Sequence, residues 1–229
     1  MDKKLSKWIT WINEIRDETE NMLLNEEIHR QYLEMVKNNK EIQSPSGFHE
    51  WTRRNYGSYV VMAIRRQLDN DKDVVSLRRL LLEMKQFPQI LTKQWFRSLY
   101  KNVTETTGLP YKFFADGDFE KNAGSMEYFD PTVADADILR LEKLGKTIVR
   151  YANKQIAHRT KVKTSVTFSE INEFLDEFES IVKKYVLLLT ASGYGSLIPV
   201  PQYDWLSIFT KTWIKPFTGD NDRMDLDSV

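Results

Sequence analysis

Residues 167–189, TFSEINEFLDEFESIVKKYVLLL, carry the clearest helical pattern in this chain. Thr167 and Glu170 have the spacing of a capping box, in which each side chain accepts a hydrogen bond from the other residue's backbone N–H at a helix start. The apolar residues recur every three to four positions, which places them on one side of a helix. The segment therefore predicts a long amphipathic helix that buries Ile171, Phe174, Leu175, Phe178, Ile181, Val182, Tyr185, Leu188 and Leu189.

The same spacing recurs in the chain before this segment. It predicts one long helix, or two with a short break, at about 5–39, and further helices at about 48–69, 74–87, 93–100 and 131–159. The last of these begins at Asp130-Pro131, a capping residue followed by a residue favoured in the first helical turn. Alternating strand patterns are scarce. We therefore predict an all-α fold, a helical bundle of about five to six helices.

Two regions depart from this pattern. Residues 101–130 contain several glycines and a proline among aromatic and acidic residues, which predicts an irregular insertion. The chain after residue 190 is rich in proline and aromatic residues and ends in a short acidic tail. We predict a bundle over 1–190 that includes the insertion 101–130, and an irregular aromatic C-terminal arm and tail over 191–229.

Composition excludes several classes of chemistry. Lys and Arg total 33, equal to Asp and Glu, so any nucleic-acid site has to be local. The absence of cysteine excludes disulfides, thiolate catalysis and thiolate metal sites. The sequence has no signal-peptide pattern and no run of apolar residues long enough to cross a bilayer, so we expect a cytoplasmic protein with no membrane partner. No metal site and no cofactor is predicted.

Titratable groups are concentrated in RYANKQIAHR, residues 150–159. His158 can exchange a proton near neutral pH, and the adjacent cations Arg150, Lys154 and Arg159 favour phosphate, which suits RNA. A histidine near a helix C-terminus also bonds free carbonyls and complements the helix dipole, so a structural role stays open. On a straight α-helix, Asn153 lies on the opposite shoulder from His158.

The segment Asn153-Lys-Gln-Ile-Ala-His158-Arg159 resembles the HEPN superfamily, most closely its abortive-infection (Abi) branch of bacterial phage-defence and toxin-like proteins. The resemblance implies a homodimer of helical bundles. In it, an arginine, an adjacent polar residue and a histidine from each copy would form a metal-independent ribonuclease site at the interface. It implies that His158 is the catalytic histidine and Asn153 the polar residue. Ala152 occupies the position where the family usually has its arginine.

Another cation has to replace that arginine if the site is active. An arginine only has to reach a phosphate, so it can come from elsewhere in the chain. The candidates are Arg65, Arg66, Lys154 and Arg159. We favour Arg65 or Arg66, because they follow the apolar run 60–64 and a firmly packed helix would hold them. Salt bridges of both arginines with Asp69 or Glu83 are the alternative.

The leading hypothesis is an RNA-cleaving toxin or phage-defence effector. A ribose 2′-OH would attack the neighbouring phosphorus with His158 as acid or base, while cations stabilise the phosphoryl oxygens and Asn153 orients a phosphate or the imidazole. The expected partners are RNA, a second copy of the chain, and an operon-encoded partner or antitoxin. The alternative is a non-catalytic HEPN-like module that binds a partner protein or nucleotide, with His158 in a structural role.

Three weaker patterns have mainly structural interpretations. His29 is predicted at the surface, and Asp137 is predicted as a charge that serves the dipole at a helix start. Arg53 and Arg54 lie beside Trp51, a mixture of cations and aromatic rings that single-strand binders use, but aromatic residues at helical spacing more often belong to the core.

Overall fold

The computed structural model of this protein describes residues 2–100, 111–157 and 164–214. In those ranges the chain forms seven α-helices and no β-strand, which confirms the predicted all-α bundle with a slightly higher helix count. The helices are α1 (Lys3–Asn38), α2 (Gly47–Gln67), α3 (Leu77–Gln86), α4 (Lys93–Leu99), α5 (Tyr111–Ala123), α6 (Pro131–Tyr151) and α7 (Phe168–Thr190).

Helix α7 has the central place in the bundle. Its capping box is present: the Thr167 hydroxyl accepts from the Glu170 N–H, and the Glu170 carboxylate accepts from the Thr167 N–H at 2.8 Å. All nine core positions predicted for this helix are buried. Because those residues occupy a broad side of the helix, α7 packs against α1, α2, α4, α5 and α6.

Helix α1 is one continuous element of 36 residues, which corresponds to about 54 Å of helix. Asp2 caps its start, and the Asp2 side chain accepts a hydrogen bond from the Lys4 N–H at 2.7 Å. No glycine or proline interrupts it, and its buried residues follow helical spacing along its length. One side of α1 therefore supports α7, α2 and α3 together.

The segment 101–130 differs from the predicted irregular insertion, because Tyr111–Ala123 forms helix α5. Ala115, Phe119 and Ala123 recur every four residues and are fully buried, so this stretch has an apolar side. The exposed Gly117 does not break the helix. Helix α5 packs on α4. Residues 101–110 lie outside the described part of the chain.

Helix α6 starts as predicted, with Asp130 as its cap and Pro131 in its first turn. Gly145 lets α2 approach closely, because a Cβ atom at this position would lie only 2.2 Å from Leu68 Cδ1. The α-helix ends at Tyr151, earlier than the predicted end near residue 159, because the following residues adopt a different helical geometry.

The chain stays on the bundle for several residues after α7. Leu197 is buried, and its backbone N–H donates to the Glu179 carboxylate of α7 at 2.6 Å. The compact unit that contains the bundle accordingly extends over Met1–Pro199. None of the helices in the described ranges is long and apolar enough to cross a membrane.

The second compact unit is Val200–Val229, and its described residues end at 214. It contains a 3-10 turn, Trp205–Thr210, and no α-helix within those described residues. The rings of Phe209 and Trp213 stack with their centroids 5.1 Å apart. This part of the chain has the irregular aromatic character predicted for the C-terminal arm.

Candidate functional site

A π-helical turn, Ala152–Ala157, follows α6. It contains most of the sequence segment 153–159, which we call the motif. Such turns are rare and occur frequently at functional sites. Ala152 is fully buried, Asn153 is half-buried and Lys154 is exposed, so the turn presents its polar residues away from the core. The assumption of a straight α-helix through residue 157 is therefore wrong.

Arg65 of α2 meets Asn153 of this turn. Arg65 Nε donates a hydrogen bond to Asn153 Oδ1 at 2.6 Å, although the two residues are 88 positions apart. Helix α2 packs against both α6 and the π-helical turn, and the residues that precede Arg65, among them Ala63 and Ile64, are fully buried. A firmly packed helix thus holds a half-buried guanidinium beside the polar residue of the motif.

Arg66 points to a different neighbour. Its guanidinium forms a salt bridge with Glu18 of α1, and Arg66 Nε lies 2.9 Å from Glu18 Oε1. The Gln67 amide also donates to this carboxylate. The salt-bridge alternative thus describes Arg66, with Glu18 as its partner in place of Asp69 or Glu83, because α1 packs alongside α2.

The other predicted site residues are Arg150, Lys154, His158 and Arg159. Arg150 is exposed near the end of α6, and Lys154 is exposed on the π-helical turn. His158 and Arg159 lie outside the described residues. The structure thus brings Arg65 and Asn153 into direct contact, and it places Arg150 and Lys154 on the same stretch of chain as Asn153.

A cavity of about 1040 Å³ lies beside the motif. We call it the motif groove. Its walls come from α2, from the end of α6 with the π-helical turn, and from the start of α7. The residues that define it are Arg53, Arg54, Gly57, Tyr151, Gln155 and Phe168. Tyr151 and Gln155 of the motif segment line this groove, whereas Arg65 and Asn153 do not.

The rim of the groove is cationic and has an exposed aromatic pair nearby. Arg53 and Arg54 share a single carboxylate, that of Glu50, at 2.8 and 2.6 Å. Hydrogen bonds from both guanidinium groups lower the pKa of Glu50 to about 2, so this carboxylate stays ionised at neutral pH. Trp51 is 60% exposed and stacks on Phe48 with centroids 5.8 Å apart. Trp51 is therefore a surface residue, not a core residue.

Charge is unevenly distributed along this neutral chain. Between Glu142 and Glu170 the sequence contains seven lysines and arginines and no aspartate or glutamate. They are Lys143, Lys146, Arg150, Lys154, Arg159, Lys161 and Lys163. A local excess of cations attracts phosphate even when the net charge of the protein is zero. The segment around the motif therefore has the charge expected of a site for a polyanion.

His29 is buried, which corrects its predicted surface position. Its ring stacks on Tyr56 with centroids 4.1 Å apart, and Phe168 packs against both rings. Burial, and secondarily the charge of Arg53, lowers the pKa of His29. A signal was present in the sequence, because His29 continues the heptad spacing of the buried residues Trp8, Ile15 and Met22.

Asp137 is fully buried, so it does not serve as an exposed charge at a helix start. Its carboxylate accepts a hydrogen bond from the Tyr185 hydroxyl at 2.8 Å and forms ion pairs with Lys184 and Arg140. This network joins α6 to α7 more than four helical turns before the motif. We assign it a structural role.

In the described ranges, no group of three His, Asp or Glu side chains is arranged to hold a metal ion.

Comparison with known proteins bears on the whole chain. The model of the family HEPN_AbiU2, described as AbiU2, matches residues 5–205. Searches of curated proteins and of solved structures found no match. The family match covers most of the chain. The chain therefore belongs to the HEPN_AbiU2 family, an abortive-infection branch of the HEPN proteins.

Proposed function

We propose that this protein is a metal-independent endoribonuclease that acts as an RNA-cleaving toxin or phage-defence effector. The observation that carries the proposal is the hydrogen bond from Arg65 Nε to Asn153 Oδ1. This bond places an arginine next to Asn153, the polar residue of the motif. The motif itself has Ala152 where the family usually has its arginine. In this proposal His158 is the acid or base, and Arg65 and Asn153 bind the reacting phosphate.

The burial of Ala152 explains why the arginine comes from another helix. The Ala152 side chain is fully buried, so an arginine at this position would be directed into the bundle. Arg65 reaches the same region from α2. A guanidinium has five N–H donors, and the bond to Asn153 occupies Nε. The two Nη groups then serve a phosphate in a bidentate manner.

The proposed reaction is transesterification within the RNA strand. The ribose 2′-oxygen attacks the adjacent phosphorus, the bond from phosphorus to the 5′-oxygen breaks, and the products are a 2′,3′-cyclic phosphate and a 5′-hydroxyl. His158 takes the proton from the 2′-OH or gives one to the leaving 5′-oxygen. Arg65 stabilises the charge that grows on the phosphoryl oxygens, and Asn153 orients the phosphate or the imidazole.

The π-helical turn changes the geometry that the sequence suggested around Asn153. On a straight α-helix, residues five positions apart lie on different sides. Between Ala152 and Ala157 the chain does not follow a straight α-helix, so that arrangement does not apply to Asn153. In the proposal, Asn153 and His158 share one site.

We further propose that the active form is a homodimer in which two motif segments face one shared cleft, with an operon-encoded partner or antitoxin as regulator. A symmetric dimer brings the same surface patch of two copies together. Light scattering of the purified chain, at concentrations that span the micromolar range, measures the assembly. A monomer that retains full ribonuclease activity would contradict the dimeric site.

Cleavage of total cellular RNA in the presence of a chelator tests the function. The wild-type chain is expected to cleave RNA, and a folded His158→Ala variant is expected to be inactive. Arg66→Ala is the matched control, because Arg66 is bound to Glu18 on the neighbouring helix. Equal cleavage by wild type and His158→Ala, or no cleavage by either, would contradict the proposal; the latter would favour a binding module.

A further inference from the structure

Helix α6 presents a row of cations to solvent, which we call the basic face: Lys143, Lys146 and Arg150. All three residues are exposed. They lie at positions i, i+3 and i+7, so on an α-helix they occupy a sector of about 60°. Successive members are about 4.5 and 6 Å apart along the helix axis. The row points along α6 toward the π-helical turn, where Lys154 is also exposed.

Among the described residues, none of the three cations of the basic face forms an ion pair. The sequence holds no acidic residue between Glu142 and Glu170. Elsewhere on α6 the charges are satisfied: Arg140 pairs with Asp137 and Glu177. A solvated helix face normally mixes the two signs of charge. A face of one sign that leads to a proposed catalytic segment is what a polyanion site requires.

The acidic residues at the edge of the basic face are paired with α3. Helical spacing places Asp135 and Glu142 about 20° and 40° from Lys146 around the helix axis. Asp135 pairs with Lys85, and Glu142 pairs with Arg78, both on α3. Cations of α3 therefore neutralise these two carboxylates.

We infer that the basic face binds the sugar-phosphate backbone of single-stranded RNA and directs the strand to the segment that carries Asn153 and His158. This inference rests on the proposed function. A row of cations along a helix follows a linear polyanion, and the row extends in one direction to the motif. Contacts with phosphates position a strand without reading its sequence. The residues of the face are thus positioning residues, and they determine substrate affinity.

A binding measurement with RNA that cannot react tests this inference apart from catalysis. The probe is a fluorescein-labelled 20-nucleotide RNA with 2′-O-methyl groups, which lacks the attacking hydroxyl. Anisotropy gives Kd over a series of salt concentrations. The test variant is Lys143→Gln, Lys146→Gln, Arg150→Gln. The control variant is Lys3→Gln, Lys37→Gln, Lys72→Gln, which removes the same charge from three exposed lysines on other elements.

The slope of log Kd against log salt is the main readout. Each lost phosphate contact on a single strand lowers the slope by about 0.7, so the test variant is expected to lose about 2 and the control far less. With cleavable RNA, the test variant is expected to raise KM by about tenfold or more and leave kcat unchanged. Unchanged thermal midpoints show that both variants are folded.

Three results overturn the inference: no binding of the probe by wild type, equal losses in the test and control variants, or an unchanged slope in the test variant. Failure of the wild type to bind the probe would favour an acidic protein as the partner of the basic face. If wild type binds with the expected slope but cleaves no RNA, the proposed ribonuclease function fails and the assignment of the basic face stands.

Discussion

Replacement of Arg65 by alanine is expected to abolish most of the ribonuclease activity while the fold is retained. Arg65 and Arg66 are adjacent arginines of α2, but Arg65 contacts the motif through its bond to Asn153, whereas Arg66 pairs with Glu18. The two alanine variants remove the same group from the same helix. Any difference between them therefore reports the position of the guanidinium, not the loss of one positive charge.

The expected magnitudes differ for stability and for activity. The described contacts of the Arg65 side chain include one hydrogen bond from the charged guanidinium to an amide oxygen, so Arg65→Ala is expected to cost about 1.5–3 kcal/mol of unfolding free energy. Removal of one group that stabilises transition-state charge typically lowers kcat about 10²- to 10³-fold, which is about 2.7–4 kcal/mol. Arg65→Lys keeps the charge but not the planar fork, and it is expected to restore little activity.

Single-turnover cleavage of an RNA oligonucleotide in chelator measures the rate constant for each variant, and urea unfolding measures the stability. A double-mutant cycle of Arg65→Ala and Asn153→Ala tests the contact between the two side chains. If Arg65 and Asn153 act as one unit, the double variant is expected to be hardly slower than the worse single variant. The reasoning is refuted if Arg65→Ala keeps its rate within about threefold of wild type, or if Arg66→Ala loses as much.

Three further predictions concern the fold, and unfolding free energies measured in urea check each of them. Gly145→Ala is expected to cost about 1–3 kcal/mol, because the new Cβ would overlap Leu68, whereas Gly117→Ala in open space is expected to stabilise α5 by about 0.5–1 kcal/mol. Similar effects of the two substitutions would contradict the close packing of α2 on α6. Asp137→Ala is expected to cost about 1–3 kcal/mol, because it leaves the buried Tyr185 hydroxyl without its acceptor and removes the partner of Lys184; an unchanged unfolding free energy would contradict the network. The pKa of His29 is lowered in the folded state, so the unfolded state binds more protons below about pH 6.5 and stability falls as the pH drops from 7 to 5. His29→Phe is expected to weaken that pH dependence, and an unchanged dependence would contradict the buried neutral imidazole.

Local signals in the sequence predicted most of the helix starts. The caps at Asp130 and Thr167 are present, because a capping hydrogen bond joins residues two or three positions apart and can be read from spacing alone. Helix α5 was missed because the glycines in its surroundings obscured the buried residues at intervals of four. The heptad position of His29 was present in the sequence but was outweighed by the charges around it.

The site depended on information that spacing does not contain. The contact between Arg65 and Asn153 joins residues far apart in the chain, so the sequence predicted an arginine from α2 but not which of the two adjacent residues reaches the motif. The π-helical turn was not predicted, because a shift in backbone hydrogen bonding has no signature in residue type. The burial of Asp137 depends in the same way on Tyr185, which α7 supplies from 48 positions away.

The chemistry of the RNA ends tests the central claim most directly. A labelled RNA is cleaved in chelator, and its products are compared with those of the same RNA carrying a single 2′-deoxyribose at the cleavage position. The account predicts a 2′,3′-cyclic phosphate and a 5′-hydroxyl from the all-ribose substrate, no cleavage at the deoxyribose, and no cleavage by His158→Ala. Cleavage that persists at the deoxyribose, or that persists in His158→Ala, would contradict it.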